Sequence, residues 1–207
     1  MTSNNSSLGP YFLFDVGGVL IHWRDEWAFR SIGKRLGVPY PVVERTLLSM
    51  REGLQLGRFG LREFWGEFAS VAKIPVPRDW HTLWGQELSR RGRGNAAAMQ
   101  VVLRLRRRGY RTGVFSNTDA SHTAIFRKKN WLPGFEKWVL SYEIGATKPH
   151  PHAFQRAEKV LGLPGKDIIL VDDRKSNVEG AISHGWGAIH YRNAPDLARQ
   201  LRRRSYL

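Results

Sequence analysis

The run Tyr11-Phe12-Leu13-Phe14, followed at once by Asp15-Val16-Gly17-Gly18, constrains the fold more than any other stretch of the chain. Four consecutive apolar or aromatic residues suit a strand covered on both faces, the pattern of a parallel sheet packed between helices. The strand ends on a carboxylate, which is costly to bury alone, and the two glycines permit a sharp turn and a close backbone approach to a ligand. In an open α/β sheet that position faces the crevice beyond the carboxyl ends of the strands. Taken alone, the stretch is equally well explained as a strand ending in an ordinary Gly-Gly turn.

The rest of the chain supplies the context. Past Leu20 the pattern turns helical: Trp23 and Trp27, Phe64 and Phe68, and Trp80, Leu83 and Trp84 each form one stripe at helical spacing. Breakers at Gly37-Val38-Pro39, Gly57 to Gly60 and Ile74-Pro75-Val76-Pro77 divide this region into about four helices. Its tryptophans are expected mostly in the core of that bundle, with an aromatic lid over a substrate as the alternative. From Asn95 onward strands and helices alternate, with apolar strands at 111–115, 138–140, 168–171 and 188–191 and helices between them. The expected fold is therefore α/β, a Rossmann-like parallel sheet with helices on both faces and a small all-helical domain inserted after the first strand. Residues 1–20 and 95–207 form the core domain in this reading, and 21–94 the insert.

With 207 residues, 42% of them hydrophobic, the chain can bury a real core as one domain carrying an insertion. It has no cysteine, which excludes disulfides, thiol catalysis and thiolate metal sites and suits a reducing compartment. The polar leader Met1 to Pro10 has neither a basic n-region nor an apolar h-region, and no apolar run is long enough to span a bilayer. A cytoplasmic protein with a frayed N-terminus is expected, with no membrane partner. The net charge of +15 could draw nucleic acid or small phosphorylated anions. Basic clusters fall at 90–93, 104–108, 127–129 and 202–204, and they read better as solvated charge, three of them at the ends of expected helices, where cations favour the C-terminal dipole.

Ser116-Asn117, Lys148 and Asp172-Asp173 each follow an apolar strand or the loop after one, so a parallel sheet would gather them with Asp15 at one edge. None is specific alone. Together they imply a compensating cation, because two carboxylates about 4 Å apart repel by about 4 kcal/mol at an effective dielectric near 20. Lys148 brings one positive charge, and an oxygen-ligated Mg²⁺ would bring two more.

In this combination the chain resembles the haloacid dehalogenase superfamily. Phe14-Asp15-Val16-Gly17-Gly18-Val19-Leu20 is similar to its first motif, Val114-Phe115-Ser116-Asn117 to its second, Lys148-Pro149 to its third and Leu170-Val171-Asp172-Asp173 to its fourth. The helical insert matches the cap of one class, and the runs around Asp15 and Ser116 look most like a bacterial sugar-phosphate phosphatase group that includes a glucose-1-phosphatase. The resemblance implies an Mg²⁺-dependent phosphatase acting on a small phosphorylated metabolite. In it Asp15 is the nucleophile that forms an aspartyl-phosphate, Ser116, Asn117 and Gly18 hold phosphate oxygens, and Lys148 offsets charge. The metal set it implies is Asp15, the Gly17 carbonyl, Asp172 and Asp173.

One departure stands out. The resemblance calls for a second aspartate two residues after the nucleophile as general acid and base, and Gly17 occupies that place. Either a cap residue or water does the proton work, or the substrate needs little of it, or the protein is weakly active. On Gly17 alone, anomeric, aryl and acyl phosphates should be turned over better than primary-alcohol phosphates. Rival readings are a metal-free haloacid dehalogenase using the same Asp15, and a weakly active or inactive protein binding nucleic acid or a partner through its basic surface. His22, Trp23, His150 and Arg174 flank the motifs and are candidates for substrate contact.

Overall fold

The structure, a computed structural model, describes residues 9–207, so the frayed N-terminus expected before them lies outside the described residues. In chain order its elements are β1 (Tyr11–Phe14), β2 (Ile21–His22), helices α1 (Asp25–Leu36), α2 (Tyr40–Gln55), α3 (Leu61–Ala72) and α4 (Trp80–Arg91), then β3 (Arg93–Gly94). There follow α5 (Ala96–Arg107), β4 (Thr112–Ser116), α6 (Ala120–Lys128), β5 (Lys137–Leu140), α7 (Ser141–Ile144) and α8 (Pro151–Leu161). The chain closes with a 3₁₀ turn at Gly165–Asp167, β6 (Ile168–Asp172), α9 (Lys175–Ser183), β7 (Gly187–His190) and α10 (Ala194–Arg203).

Five parallel strands form one sheet in the order β5-β4-β1-β6-β7, with β1 at its centre. Alternation along β1 and β6 shows why their runs are apolar on both faces. Phe12, Phe14, Ile169 and Val171 point to one face, where they pack with Val101, Val102, Leu105, Leu197 and Leu201 of α5 and α10. Tyr11, Leu13, Ile168 and Leu170 point to the other, against Ala153, Phe154, Ala157, Val178 and Ala181 of α8 and α9. The sheet is thus covered on both sides, and the carboxyl ends of its strands remain as the open edge.

Helices α1 to α4 form the insert, with a core of their own that includes Phe29, Ile32, Leu47, Phe64, Trp65, Phe68, Leu83 and Trp84. Of its tryptophans, Trp65 and Trp84 are buried, Trp23 and Trp80 pack against that core, and Trp27 is 37% exposed. Where the chain enters and leaves the insert, β2 and β3 pair antiparallel, Ile21 with Gly94 and His22 with Arg93. Asn95 ties this base down: its side chain donates to the Val19 carbonyl and to the Tyr191 hydroxyl and accepts from Ala98 N at the start of α5. The short ribbon has no sequence period to announce it, and neither does the single turn α7.

The basic clusters fall at helix ends as the dipole argument expects: Arg90 and Arg91 close α4, Arg104, Arg106 and Arg107 close α5, Arg127 and Lys128 close α6, and Arg202 and Arg203 close α10. Among the described residues no helix is long and apolar enough to cross a membrane.

Candidate active site

Strand β1 hands its polypeptide to the site through Asp15, whose N–H donates to the Val171 carbonyl of the neighbouring strand. A tight turn follows, in which Ile21 N donates to Val16 O and Gly18 N to Ile21 O, leaving the Gly17 carbonyl outside that pairing. Gly18 has φ +83, and a Cβ there would lie 2.3 Å from Asp173 Oδ2. Only glycine lets the turn pass so close to that carboxylate. Because the Gly18 N–H is already engaged by Ile21, the part of Gly18 at this site is to make room. Gly17 is different: a Cβ there would meet nothing within 4 Å.

Strand order then brings the other candidates to the same edge. Lys148 is buried, and its Nζ donates to Asp15 Oδ1 at 2.8 Å, Asp172 Oδ2 at 2.6 Å and the Phe115 carbonyl at 2.5 Å. Its three ammonium protons are thereby all used, which fixes the two carboxylates relative to each other. Asp15, Asp172 and Asp173 each offer an oxygen within 4.8 Å of the others. Burial pushes the Asp15 carboxyl up to about 7, Lys148 working against that shift and the Asp172 charge adding to it. Burial and Asp172 likewise raise Asp173. Burial acts to lower Lys148, but the charges of Asp15 and Asp172 prevail and hold the ammonium above its ordinary value.

One lysine facing three clustered carboxylates leaves an excess of negative charge in a site built of hard oxygen donors. That set fits a divalent cation such as Mg²⁺, which is held by carboxylates together with carbonyls and water. Asp15, Asp172 and Asp173, with the unengaged Gly17 carbonyl, are the residues that could hold it.

Ser116 and Asn117 sit at the end of β4 beside the triad and line the same cavity, about 210 Å³ in volume. The Asn117 side chain is structural. Its Nδ2 donates to the Lys148 carbonyl and its Oδ1 accepts from Lys148 N, so it clamps the loop that carries the lysine. Its backbone carbonyl accepts from Gln55 Nε2 of α2, a direct tie between insert and sheet edge. The far wall comes from the insert and includes Trp23, Asp25, Arg51, Phe64 and Trp84. Of the flanking candidates, Trp23 and Arg174 line the cavity. His22 instead lies in the β2–β3 ribbon, and His150 caps α8.

Sequence reasoning missed three groups. Asn177, in the first turn of α9, donates to both oxygens of Asp172 at 3.0 and 3.1 Å, and the Arg174 N–H donates to Asp172 Oδ1. Their signal was position: helix starts five or fewer residues after a strand-end acid turn back onto it. The third is the pair Asp119 and His122, at the cap and first turn of α6.

The sequence model of the haloacid dehalogenase-like hydrolase family matches residues 11–185, which spans β1 through α9 and all the residues of this edge. The chain belongs to the haloacid dehalogenase-like hydrolases. Two solved family members share its fold. A hydrolase of this kind from Porphyromonas gingivalis superposes with a TM-score of 0.76 at 23% identity, over 95% of this chain and 99% of that one. A family enzyme from Bacteroides thetaiotaomicron, in complex with magnesium and inorganic phosphate, does so with 0.73 at 22% identity, over 89% and 94%. In sequence, a glyceraldehyde 3-phosphate phosphatase from Pyrococcus abyssi is 31% identical over 99 residues, 46% of this hydrolase and 41% of that protein. The chain therefore spans less than half the length of that curated relative.

Proposed function

We propose that this hydrolase is an Mg²⁺-dependent phosphatase of a small, sugar phosphate-like metabolite and works through an aspartyl-phosphate on Asp15. The observation that carries the reading is the buried Lys148 holding Asp15 and Asp172 at one edge of a cavity, with Asp173 completing a three-carboxylate cluster. A dehalogenase, which displaces halide without metal, has little need of the Asp172-Asp173 pair. The relative from Pyrococcus abyssi, a phosphatase of a three-carbon sugar phosphate, is in line with a small substrate, as is the cavity of about 210 Å³.

In this mechanism a carboxylate oxygen of Asp15 attacks phosphorus in line with the departing ester oxygen. Lys148 keeps the attacking carboxylate oriented and offsets charge on the phosphoryl group, while Ser116 and the Asn117 backbone hold its oxygens. A bound divalent cation would supply charge neutralisation between Asp15 and the phosphoryl oxygens. Asp172 is held by Asn177, Lys148 and the Arg174 N–H, and so stays fixed through the cycle. The insert, residues 21–94, serves as a cap domain that walls off water and contributes the specificity surface. The working form is expected in the cytoplasm, with the phosphorylated metabolite as its partner.

The test is turnover of p-nitrophenyl phosphate with and without Mg²⁺, by wild type and by Asp15→Asn. Turnover should require the cation, stop on chelation and vanish in the variant. Residual activity above a few per cent in Asp15→Asn would move the nucleophile elsewhere, and activity indifferent to chelator would favour a metal-free reaction.

A further inference from the structure

Among the described residues eight buried polar side-chain atoms have no hydrogen-bond partner, and three of them, Arg51 Nη2, Thr118 Oγ1 and His122 Nε2, belong to residues that line the cavity above Asp15. Leaving a buried polar group unpaired costs about 1–3 kcal/mol, so such groups gathered at one cavity point to a ligand that completes them. Arg51 Nη2 lies 2.7 Å from Asp25 Oδ2 but off the line of a hydrogen bond, and that pair is partly solvated. Of the three, His122 is the one whose side chain is a general acid and base by type.

We propose that His122 is the proton donor to the leaving group, in the place of the carboxylate that Gly17 lacks. The inference rests on the phosphatase reading above. The imidazole is held from three sides: Trp84 of α4 stacks on it at 5.2 Å and 9°, Trp23 meets it edge-on at 5.7 Å and 75°, and Phe126 lies 6.4 Å away. Its Nδ1 faces Asp119 Oδ2 at 3.6 Å. That carboxylate is itself pinned: Trp84 Nε1 donates to Oδ2 at 3.2 Å, and Ser121 N and His122 N donate to Oδ1 at 2.9 and 3.1 Å. Asp119 thus places a carboxylate in front of one ring nitrogen, and Nε2 is left as the nitrogen without a protein partner. Thr118, next to it in the wall, has its backbone fixed on both sides by the Ser141 hydroxyl.

In the first step an Asp15 oxygen bonds to phosphorus as the bond from phosphorus to the ester oxygen breaks, and that oxygen takes the proton from His122 Nε2. In the second the neutral imidazole accepts a proton from water as the water oxygen bonds to phosphorus. The bond to Asp15 breaks, inorganic phosphate leaves, and the imidazolium is restored. Two of the aromatic groups that position the donor, Trp23 and Trp84, belong to the insert or its root, so the donor is complete only with that unit in place. This reverses the expectation drawn from Gly17 alone, that primary-alcohol esters are poor substrates.

The experiment measures kcat/KM for p-nitrophenyl phosphate and for a series of small alkyl phosphates, with Mg²⁺, in wild type, His122→Gln and His122→Asn. Loss of a general acid should cost the alkyl esters about 10²-fold or more and the aryl ester less than about tenfold, because nitrophenolate departs without a proton. The alkyl-to-aryl ratio is the readout, and a partly misfolded variant lowers both rates alike without moving it. An unchanged ratio in both variants overturns the proposal, and so does a wild type that hydrolyses the aryl ester but accepts no alkyl ester. Wild type that turns over neither class with Mg²⁺ sinks the phosphatase reading and this inference with it. Metal-dependent turnover with an unchanged ratio sinks the inference alone.

Discussion

The clustered carboxylates should make the metal-free protein less stable than it could be, and Asp15→Asn is the perturbation that exposes this. Asp15 titrates near 7 in the fold against an ordinary value of 3.8. A carboxyl whose folded pKa is raised contributes its stability in full below the unfolded value and loses it as pH rises through the folded one. The loss accumulates between about pH 4 and pH 7, and each pH unit in that window is worth about 1.4 kcal/mol, so the ceiling is about 4 kcal/mol. Lys148, already bonded to Asp15 Oδ1, can relax toward the remaining acids, and we take about 2 kcal/mol as the expected gain from the amide.

For a domain of this size that corresponds to a rise in Tm of about 4–8 °C. The assay is thermal unfolding of both proteins in chelator across pH 4 to 8. Asp15→Asn should match wild type near pH 4, pull ahead through neutrality and hold its lead at pH 8. Adding Mg²⁺ should close the gap, because a ligand that binds only the folded wild type at 100 times its Kd adds about 2.7 kcal/mol. A gap that is absent at pH 8, or equally large at pH 4, would refute the reasoning, since desolvation of an ionised Asp15 predicts neither.

Two glycines of the same turn should behave oppositely. Gly18→Ala puts a Cβ onto Asp173 at φ +83, so it should lower Tm by several degrees and raise the Mg²⁺ requirement for turnover at least about tenfold; a metal titration at constant substrate reads this. Gly17→Asp has open space for its Cβ and no positive φ to oppose it, and in the His122→Gln background it should restore about 10-fold or more of the lost alkyl-ester rate. In wild type the same change should gain little, and equal gains in both backgrounds, read from the alkyl-to-aryl ratio, would show that the two groups do not share one role.

How much of this was legible in the sequence depends on the range of the interaction that decides each feature. The three central strands β1, β4 and β6 were visible because they are buried throughout, and each is followed by or ends on the polar residue that the site uses: Asp15, Ser116, Asp172. Helix ends were found to within about two residues because caps and glycines are local signals. The β2–β3 ribbon was not found, since two residues per strand carry no alternation and their pairing joins positions 71 and 73 residues apart in sequence, across the whole insert. The same limit hid what the side chains do. The Asn117 side chain spends its amide on the Lys148 backbone, a structural role that no motif spacing reveals.

His122 shows the limit most sharply. It lies in the first turn of a helix capped by Asp119, a local placement that says nothing of its chemistry. What changes its chemistry is Trp84, which arrives from α4 of the insert, stacks on the ring and ties down the carboxylate that faces Nδ1. A partly buried imidazole, with a carboxylate 3.6 Å from Nδ1 and with Nε2 unpartnered at a cavity wall, is therefore a property of two units meeting, and neither segment carries it alone. On the His122 proposal, the acid missing at Gly17 is supplied from outside the turn after the nucleophile. If the donor is assembled between insert and sheet edge, then movement of the insert away from the edge disarms the leaving-group step while the nucleophile, lysine and metal set, all carried by the sheet, remain in place.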